Sequence, residues 1–123
     1  VSSFRLEHPG NSVAYRFDWP DRSIAYVTDT TASLDADYVQ FILGVDLLVH
    51  ECNFPDELRD YAVKTGHSHT TPVAEVAAAA DVKQLLLLHF NPLAPDEDPI
   101  NLPVAQANFP HTQLARDGQD VEF

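Results

Sequence analysis

Short apolar runs separated by polar breaks predict strands and helices that alternate along this chain. Residues 4–19 carry the alternation of a half-buried strand, broken by a turn signal at Pro9-Gly10-Asn11. The stretch 12–29 predicts a β-hairpin. Continuous apolar runs at 46–51 and 83–88 are typical of strands covered on both faces.

Three helices are predicted between and after these strands. The first spans 34–43 and ends at Gly44, a natural C-terminal stop. The second spans 55–64 and is closed by Gly66. The third opens at Thr71-Pro72, with Thr71 as the N-cap and Pro at the first helical position. Its buried face is predicted to be rich in valine and alanine, which lets a helix sit close to a sheet.

The C-terminal third is predicted to hold a short helix near 103–108 and a closing hairpin over 113–123, turning at Asp117-Gly118. Buried strands that alternate with helices indicate an α/β sheet. No internal repeat or linker divides the chain, so residues 1–123 are predicted to form one domain.

The composition of the chain indicates which binding partners and which cellular compartment to expect. The net charge is −12, from 19 acidic residues against 7 Lys and Arg, which repels a polyanion. No apolar run approaches the length of a membrane span, and the first residues lack the features of a signal peptide. The single Cys fits a reducing cytosol, so a cytoplasmic location is expected. The chain contains no Met, and it is expected to be a piece of something longer.

Side chains that can bind metals follow three of the predicted strands. Asp29 follows the first, His50-Glu51 the second and His89 the third. In α/β sheets ligands bind beyond the carboxyl ends of the strands, so these groups are expected to converge. Each also has a simpler interpretation: His89 as a structural hydrogen-bonding residue, and Asp29 as the cap of a turn. His50 and Glu51 point to opposite faces, so one of them is expected to face the core.

Further histidines lie outside the strands. His67 and His69 sit on a loop that enters a helix, and His8 follows a strand-like start. A set of imidazoles and carboxylates suits Zn, Fe or Mn. Cys52 is expected to be a small buried residue rather than a nucleophile. The spacing contains no HExxH, CxxC, P-loop or GxSxG motif, so on spacing alone the site remains one interpretation among several.

Five segments, taken together and in order, resemble the C-terminal half of the metallo-β-lactamase fold, in the branch of ribonuclease Z-like and phosphodiesterase-like hydrolases. These segments are LEHPGNSVAYRF, IAYVTDTT, DLLVHECNF, GHSHTTPVAEVAAAADVKQLLLLHFNP and ARDGQDVEF. The resemblance implies half of an αββα sandwich, with one mixed sheet covered by helices.

The resemblance also implies roles for individual residues. His8 corresponds to a ligand of the first of two divalent metal ions, Asp29 to the carboxylate that bridges both, and His89 to a ligand of the second. His67 corresponds to a catalytic histidine over the scissile phosphate, and Glu51 to the carboxylate that orients it. Zn is the first choice of metal, with Mn or Fe as alternatives. His69 departs from the commoner Ser or Thr and is left open as a substrate contact.

The family's HxHxDH signature does not occur in the chain. The partner that the resemblance implies is therefore an N-terminal half carrying that signature, without which too few ligands remain for a stable site. The chain alone is expected to be inactive. Its sheet would expose an apolar inner face, so a dimer or an exchanged assembly is expected.

The function implied is that of a metal-dependent hydrolase, most simply a phosphodiesterase, in which a metal-bound hydroxide attacks the substrate. The acidity of the chain favours a small phosphodiester over tRNA. The alternative is a non-catalytic interaction or regulatory module that retains the fold.

Overall fold

A single mixed sheet forms the centre of the computed structural model, which describes residues 1–123. Its six strands lie side by side in chain order. The first three pair antiparallel, and the third to the sixth pair parallel. The strands are β1 (Ser2–Leu6), β2 (Ser12–Asp18), β3 (Ser23–Val27), β4 (Leu47–Glu51), β5 (Gln84–Leu88) and β6 (Thr112–Leu114). The α/β architecture and the mixed sheet predicted from the sequence are confirmed.

Short helices connect the parallel strands. They are α1 (Tyr38–Phe41), α2 (Arg59–Thr65), α3 (Thr70–Ala79) and α4 (Leu102–Asn108), and a 3-10 turn at Asp56–Leu58 precedes α2. The valine and alanine face predicted for α3 is fully buried. None of these helices combines the length and the apolar character needed to cross a membrane.

The helices cover one face of the sheet. The core joins residues of that face, such as Leu48 and Leu87, to the apolar sides of α1, α3 and α4. Small side chains, including Ala25 of β3 and Ala77 of α3, lie at this interface and are fully buried. Alanine at these contacts allows the helices to approach the sheet closely, as close packing of an interior requires.

The opposite face of the sheet carries a continuous apolar row. Tyr15, Tyr26, Val49 and Leu86 are neighbours in register across four strands, and the polar Gln113 of β6 ends the row. Of these, Tyr15 and Tyr26 remain 44% and 38% exposed. Exposed apolar surface of this kind often marks interaction sites on proteins.

The predicted closing hairpin over 113–123 is wrong. Only Thr112–Leu114 forms a strand, and it pairs parallel to β5 rather than with a following strand. The turn itself exists, with Gly118 in the left-handed conformation at φ 75° and Gln119 donating its N–H to Arg116 O. After that turn the chain forms no ladder. The ring of Phe123 instead lies 5.6 Å from the guanidinium of Arg22, so a cation–π contact replaces the predicted strand pairing.

Two predicted helix boundaries also need correction. The helix predicted over 34–43 is regular only from Tyr38 to Phe41, and Leu34 is 54% exposed rather than buried. Thr71 is not the N-cap of α3, because the helix begins at Thr70 with His69 in the cap position. The carboxylate of Asp56 accepts the N–H of Thr71 and takes over the capping role that the sequence assigns to Thr71.

A buried polar pair lies between the sheet and α1. Tyr38 Oη and His50 Nε2 are 2.8 Å apart, and His50 Nδ1 is 2.7 Å from the backbone oxygen of Glu51. The Nδ1–H of His50 therefore donates to that oxygen, and its Nε2 accepts from the tyrosine hydroxyl. Burial lowers the pKa of His50 from 6.5 to about 4, although the hydrogen bond to Glu51 opposes this shift. His50 is thus the member of the His50-Glu51 pair that faces the core, as one of them was predicted to do.

We predict that this histidine makes the fold sensitive to acid. Below pH 6.5 the unfolded chain binds a proton at His50 that the folded chain does not bind until about pH 4. The free energy of unfolding should therefore fall by roughly 3 kcal/mol as pH drops through this window. Urea unfolding of the chain and of His50→Gln at several pH values measures the difference.

His111→Gln is the matched control, because His111 is exposed. It should keep the full pH dependence of the parent chain, whereas His50→Gln should lose about 3 kcal/mol of it. Equal pH dependence in the two variants would show that His50 is not the acid-sensitive group.

Candidate metal centre

Parallel pairing brings the predicted site residues to one edge of the sheet. Asp29 lies two residues beyond the end of β3, Glu51 is the last residue of β4, and His89 follows β5 directly. His67 reaches the same edge from the loop between α2 and α3. Because neighbouring parallel strands end side by side, their carboxyl ends form a shared site, as α/β sheets generally do.

Four of these side chains form a compact cluster. Asp29, Glu51, His67 and His89 each bring one potential ligand atom to within 4.8 Å of the others. Nδ1 of His89 lies 3.3 Å from Oδ1 of Asp29, and the rings of His67 and His89 are 5.3 Å apart. The structure therefore gathers residues that are up to 60 positions apart in the sequence, as their strand-end positions predict.

His8 lies beside this cluster, on the side of His67. Their ring centroids are 5.2 Å apart, and Nδ1 of His8 lies 2.9 Å from the backbone oxygen of Gly66. The carbonyl can only accept, so Nδ1 carries the proton and Nε2 keeps a free lone pair. Neutral imidazole binds metals through its unprotonated nitrogen, so Nε2 is the atom through which His8 could bind an ion.

Gly66 makes this approach possible. It ends α2 in the left-handed conformation, with φ at 78°. A Cβ at this position would lie 2.6 Å from Cδ of Pro9 and 2.9 Å from Nδ1 of His8. Only glycine allows both this backbone conformation and the close approach of His8. The glycine that ends α2 therefore also makes room for the His8 side chain.

Glu51 is fully buried and holds three hydrogen bonds. Its carboxylate accepts from the N–H of Thr30 at 2.8 Å, from Nδ1 of His67 at 3.0 Å and from the N–H of Ser68 at 3.1 Å. Burial raises the pKa of the Glu51 carboxyl, while the hydrogen bonds from these donors oppose the rise. Since Nδ1 of His67 donates to Glu51, its Nε2 remains available for a second contact.

The donor set suits a divalent transition metal. His8, Asp29 and His89, which the resemblance proposes as ligands, offer imidazole nitrogens and a carboxylate, the donors that Zn prefers besides thiolate. Asp29 is partly exposed and His89 is exposed, so both remain accessible to an ion and to substrate. The assignment of these three residues as ligands stays a prediction, supported by their position and by the fixed tautomer of His8.

His69 does not join the cluster. Its Nδ1 lies 2.7 Å from Oδ1 of Asp56, and its side chain is largely buried. Burial alone would raise the pKa of Asp56, but hydrogen bonds from Thr71 and His69 outweigh it and hold that pKa below its ordinary value. The Asp56–His69 contact therefore fixes the start of α3, which gives His69 a structural role in this chain.

Ser68 supports the site, although no sequence pattern singles it out. Its hydroxyl donates to Thr30 O at 2.7 Å and accepts from the N–H of Ala32 at 2.8 Å, and it is fully buried. These bonds tie the His67 loop to the segment that follows Asp29. The partners lie 36 and 38 positions away, so no local periodicity reveals them; the only signal is a small residue between two loop histidines.

Cys52 behaves as the sequence predicts. Its side chain is completely buried, and burial raises the pKa of the thiol far above its ordinary value. A thiol that remains protonated is a poor nucleophile and a poor metal ligand. The site therefore consists of imidazoles and carboxylates without a thiolate.

Comparisons with known proteins identify the family to which the chain is similar. Residues 2–90 match the family model described as the beta-lactamase superfamily domain. The chain is 40% identical over 108 residues to the ribonuclease Z of Synechocystis sp., a match that covers 85% of the chain and 32% of that relative. It is 41% identical over 97 residues to the ribonuclease Z of Cytophaga hutchinsonii, covering 79% of the chain and 30% of that relative.

Solved structures show the same fold. The metallo-beta-lactamase fold protein YhfI from Bacillus subtilis superposes with a TM-score of 0.84 at 22% identity, over 96% of this chain and 47% of YhfI. Human tRNase Z, short form, superposes with a TM-score of 0.75 at 25% identity, over 95% and 40% of the two chains. The chain spans about a third of the length of the curated relatives it matches. The chain therefore belongs to the beta-lactamase superfamily, as a ribonuclease Z-like protein with the metallo-β-lactamase fold.

Proposed function

We propose that these 123 residues form the C-terminal half of a metal-dependent phosphodiester hydrolase. The observation that carries the proposal is the cluster of Asp29, Glu51, His67 and His89 within 4.8 Å at the carboxyl edge of the sheet. The names of the curated relatives, which are ribonuclease Z proteins, support hydrolysis of a phosphodiester bond.

Two divalent ions would be held in part by this chain. His8 and Asp29 would bind the first ion, and Asp29 and His89 the second. An N-terminal half carrying HxHxDH would supply the remaining ligands, because two ligands per ion are too few for a stable site. When bound, such ions activate water as a nucleophile and neutralise charge that develops on the phosphate oxygens.

His67 would assist departure of the leaving oxygen. Its Nδ1–H donates to Glu51, so Nε2 is the nitrogen that can exchange a proton with the substrate. Glu51 has no exposed surface and acts through His67: it fixes the ring and stabilises the charge of the protonated imidazole. These two roles follow the general pattern in which a carboxylate orients a catalytic histidine.

The substrate class that we propose is a phosphodiester, which includes both small esters and RNA. The charge of −12 supports a small substrate, since a polyanion gains little from an acidic surface. The relatives give no support to that preference, because their name and that of human tRNase Z point to RNA. A surface supplied by the N-terminal half could provide the missing phosphate contacts, so both substrates belong in the assay.

The non-catalytic alternative fits the site less well. A buried carboxylate costs several kcal/mol to desolvate and is kept where its hydrogen bonds have a purpose. Here it holds His67 at the surface of the site, which an interaction module would not need.

The partner in the proposed assembly is the N-terminal half, and the apolar row through Tyr26 and Val49 is the surface on which it would pack. A dimer or an exchanged assembly would cover the same row.

We predict that the chain by itself binds one Zn²⁺ through Asp29 and His89, more weakly than a complete site would. Replacing His89 by Ala removes a ligand and should raise the dissociation constant by about tenfold or more. Calorimetric titration of the chain with Zn²⁺ gives the constant. His111→Ala removes an imidazole whose Nδ1–H donates to Lys83 O, outside the cluster, and it should leave the affinity unchanged. Equal affinities for the two variants would contradict the assignment of His89.

We also predict that activity appears when the chain is combined with the N-terminal half of a ribonuclease Z relative and Zn²⁺ or Mn²⁺. His67→Ala should lower kcat by about 10²–10⁴-fold while metal affinity stays within a few-fold, because His67 transfers a proton rather than binding the ion. The assay follows hydrolysis of bis-p-nitrophenyl phosphate and cleavage of a tRNA precursor.

The two substrates separate the alternatives within this proposal. Cleavage of the precursor without hydrolysis of the small ester would remove the preference for a small substrate. An inactive combination, or a His67→Ala variant as active as His111→Ala, would overturn the hydrolase proposal.

A further inference from the structure

We infer that Asn53 is a positioning residue that holds His89 at its place in the metal centre. The inference rests on the proposed function, in which His89 is a metal ligand. It concerns a residue outside the cluster, since Asn53 touches the backbone of the histidine loops and no ligand atom.

His89 needs external support because its backbone is strained. It is one of four residues other than glycine with positive φ, at 60°, directly after β5. The last ladder contact of β5 is the bond from the N–H of Cys52 to Leu88 O at 2.9 Å. Left-handed backbone at a residue other than glycine is uncommon, and such residues concentrate at functional sites where the surrounding structure holds them. The turn at His89 is what carries the imidazole out of the strand and towards Asp29.

Asn53 supplies this support on both sides of the turn. Its side-chain Nδ2 donates to His89 O at 2.8 Å, and its backbone oxygen accepts the N–H of Asn91 at 3.0 Å. Its own N–H donates to Ser68 O at 3.1 Å. One residue therefore joins the loop that carries His89 to the loop that carries His67.

Only one of these three bonds depends on the side chain. Replacing Asn53 leaves both backbone bonds in place and removes the donor to His89 O. The freed carbonyl can then turn to water, and the backbone of His89 can relax from its strained conformation. The distances of 3.3 Å to Asp29 and 5.3 Å to the His67 ring would no longer be fixed. The expected consequence is a metal site that is less well organised rather than a chain that is less folded.

The first test compares two asparagines that make the same bond. Asn53→Ala should raise the dissociation constant for Zn²⁺ by about 10–100-fold, as loss of a residue that orients a metal ligand typically does. Asn108→Ala is the matched control, because Asn108 Nδ2 donates to Val104 O at 2.9 Å in α4, outside the cluster. It should leave the affinity unchanged. Urea unfolding of the metal-free variants checks that both are folded.

A second variant separates geometry from charge. Asn53→Asp keeps the size of the side chain but replaces the donor by an ionised acceptor that cannot bond His89 O. Charge alone would strengthen binding of a cation, whereas loss of the positioning bond weakens it. Weaker Zn²⁺ binding in Asn53→Asp supports the inference, and equal or tighter binding overturns it.

A double-mutant cycle decides whether Asn53 acts through His89. In the His89→Ala background, Asn53→Ala should cause no further loss of affinity, because the ligand that it positions is gone. A full additional loss would overturn the inference and indicate a general effect on the site. If His89→Ala itself leaves Zn²⁺ binding unchanged, the proposed metal centre fails; if His89→Ala weakens binding and Asn53→Ala does not, only the role of Asn53 fails.

Discussion

The buried carboxylate of Glu51 is the interaction on which the rest of the site depends. An ionised carboxylate without exposure to water is tolerated only when donors surround it, because desolvation of the charge costs several kcal/mol. Thr30, His67 and Ser68 provide those donors. The first belongs to the segment that follows Asp29, and the other two to the loop between α2 and α3. Satisfying one buried charge therefore fixes the distance between a proposed metal ligand and a proposed catalytic histidine.

Strand register delivers Glu51 to that position. Val27 pairs with His50, and Glu51 pairs with Leu88. The carboxyl ends of β3, β4 and β5 therefore lie within one residue of one another in register. A shift of one residue would exchange His50 and Glu51 between the two faces of the sheet. The histidine would then face the open side, and the carboxylate would lie against Tyr38 in the core. The buried Tyr38–His50 hydrogen bond accordingly helps to specify the register that builds the site.

Sequence patterns predicted the elements better than their ends. Continuous apolar runs identified β4 and β5 to within one residue. The predicted cover on both faces holds for β4, which is buried throughout, but not for β5, whose alternate residues are only half-buried in this chain. The prediction failed where distant contacts overrule local signals. Asp56 caps α3 in place of Thr71, and Phe123 packs on Arg22 instead of entering a strand. Neither partner can be found by periodicity, because each contact joins segments that the chain order separates.

The site was predictable in its ligand types but not in its supporting contacts. Strand ends and loop histidines pointed to the cluster, whereas Asn53 and Ser68 act through backbone atoms that no motif marks. The three residues that we propose as metal ligands are fewer than two ions require. Glu51 shares its strand face with Val49, which lies in the apolar row on the uncovered side of the sheet. In the proposed assembly, a single partner would bury this row. It would thereby also bring its own ligands to the edge of the sheet where His8, Asp29 and His89 lie. Hydrophobic association and completion of the metal centre would then be one event, and each would stabilise the other.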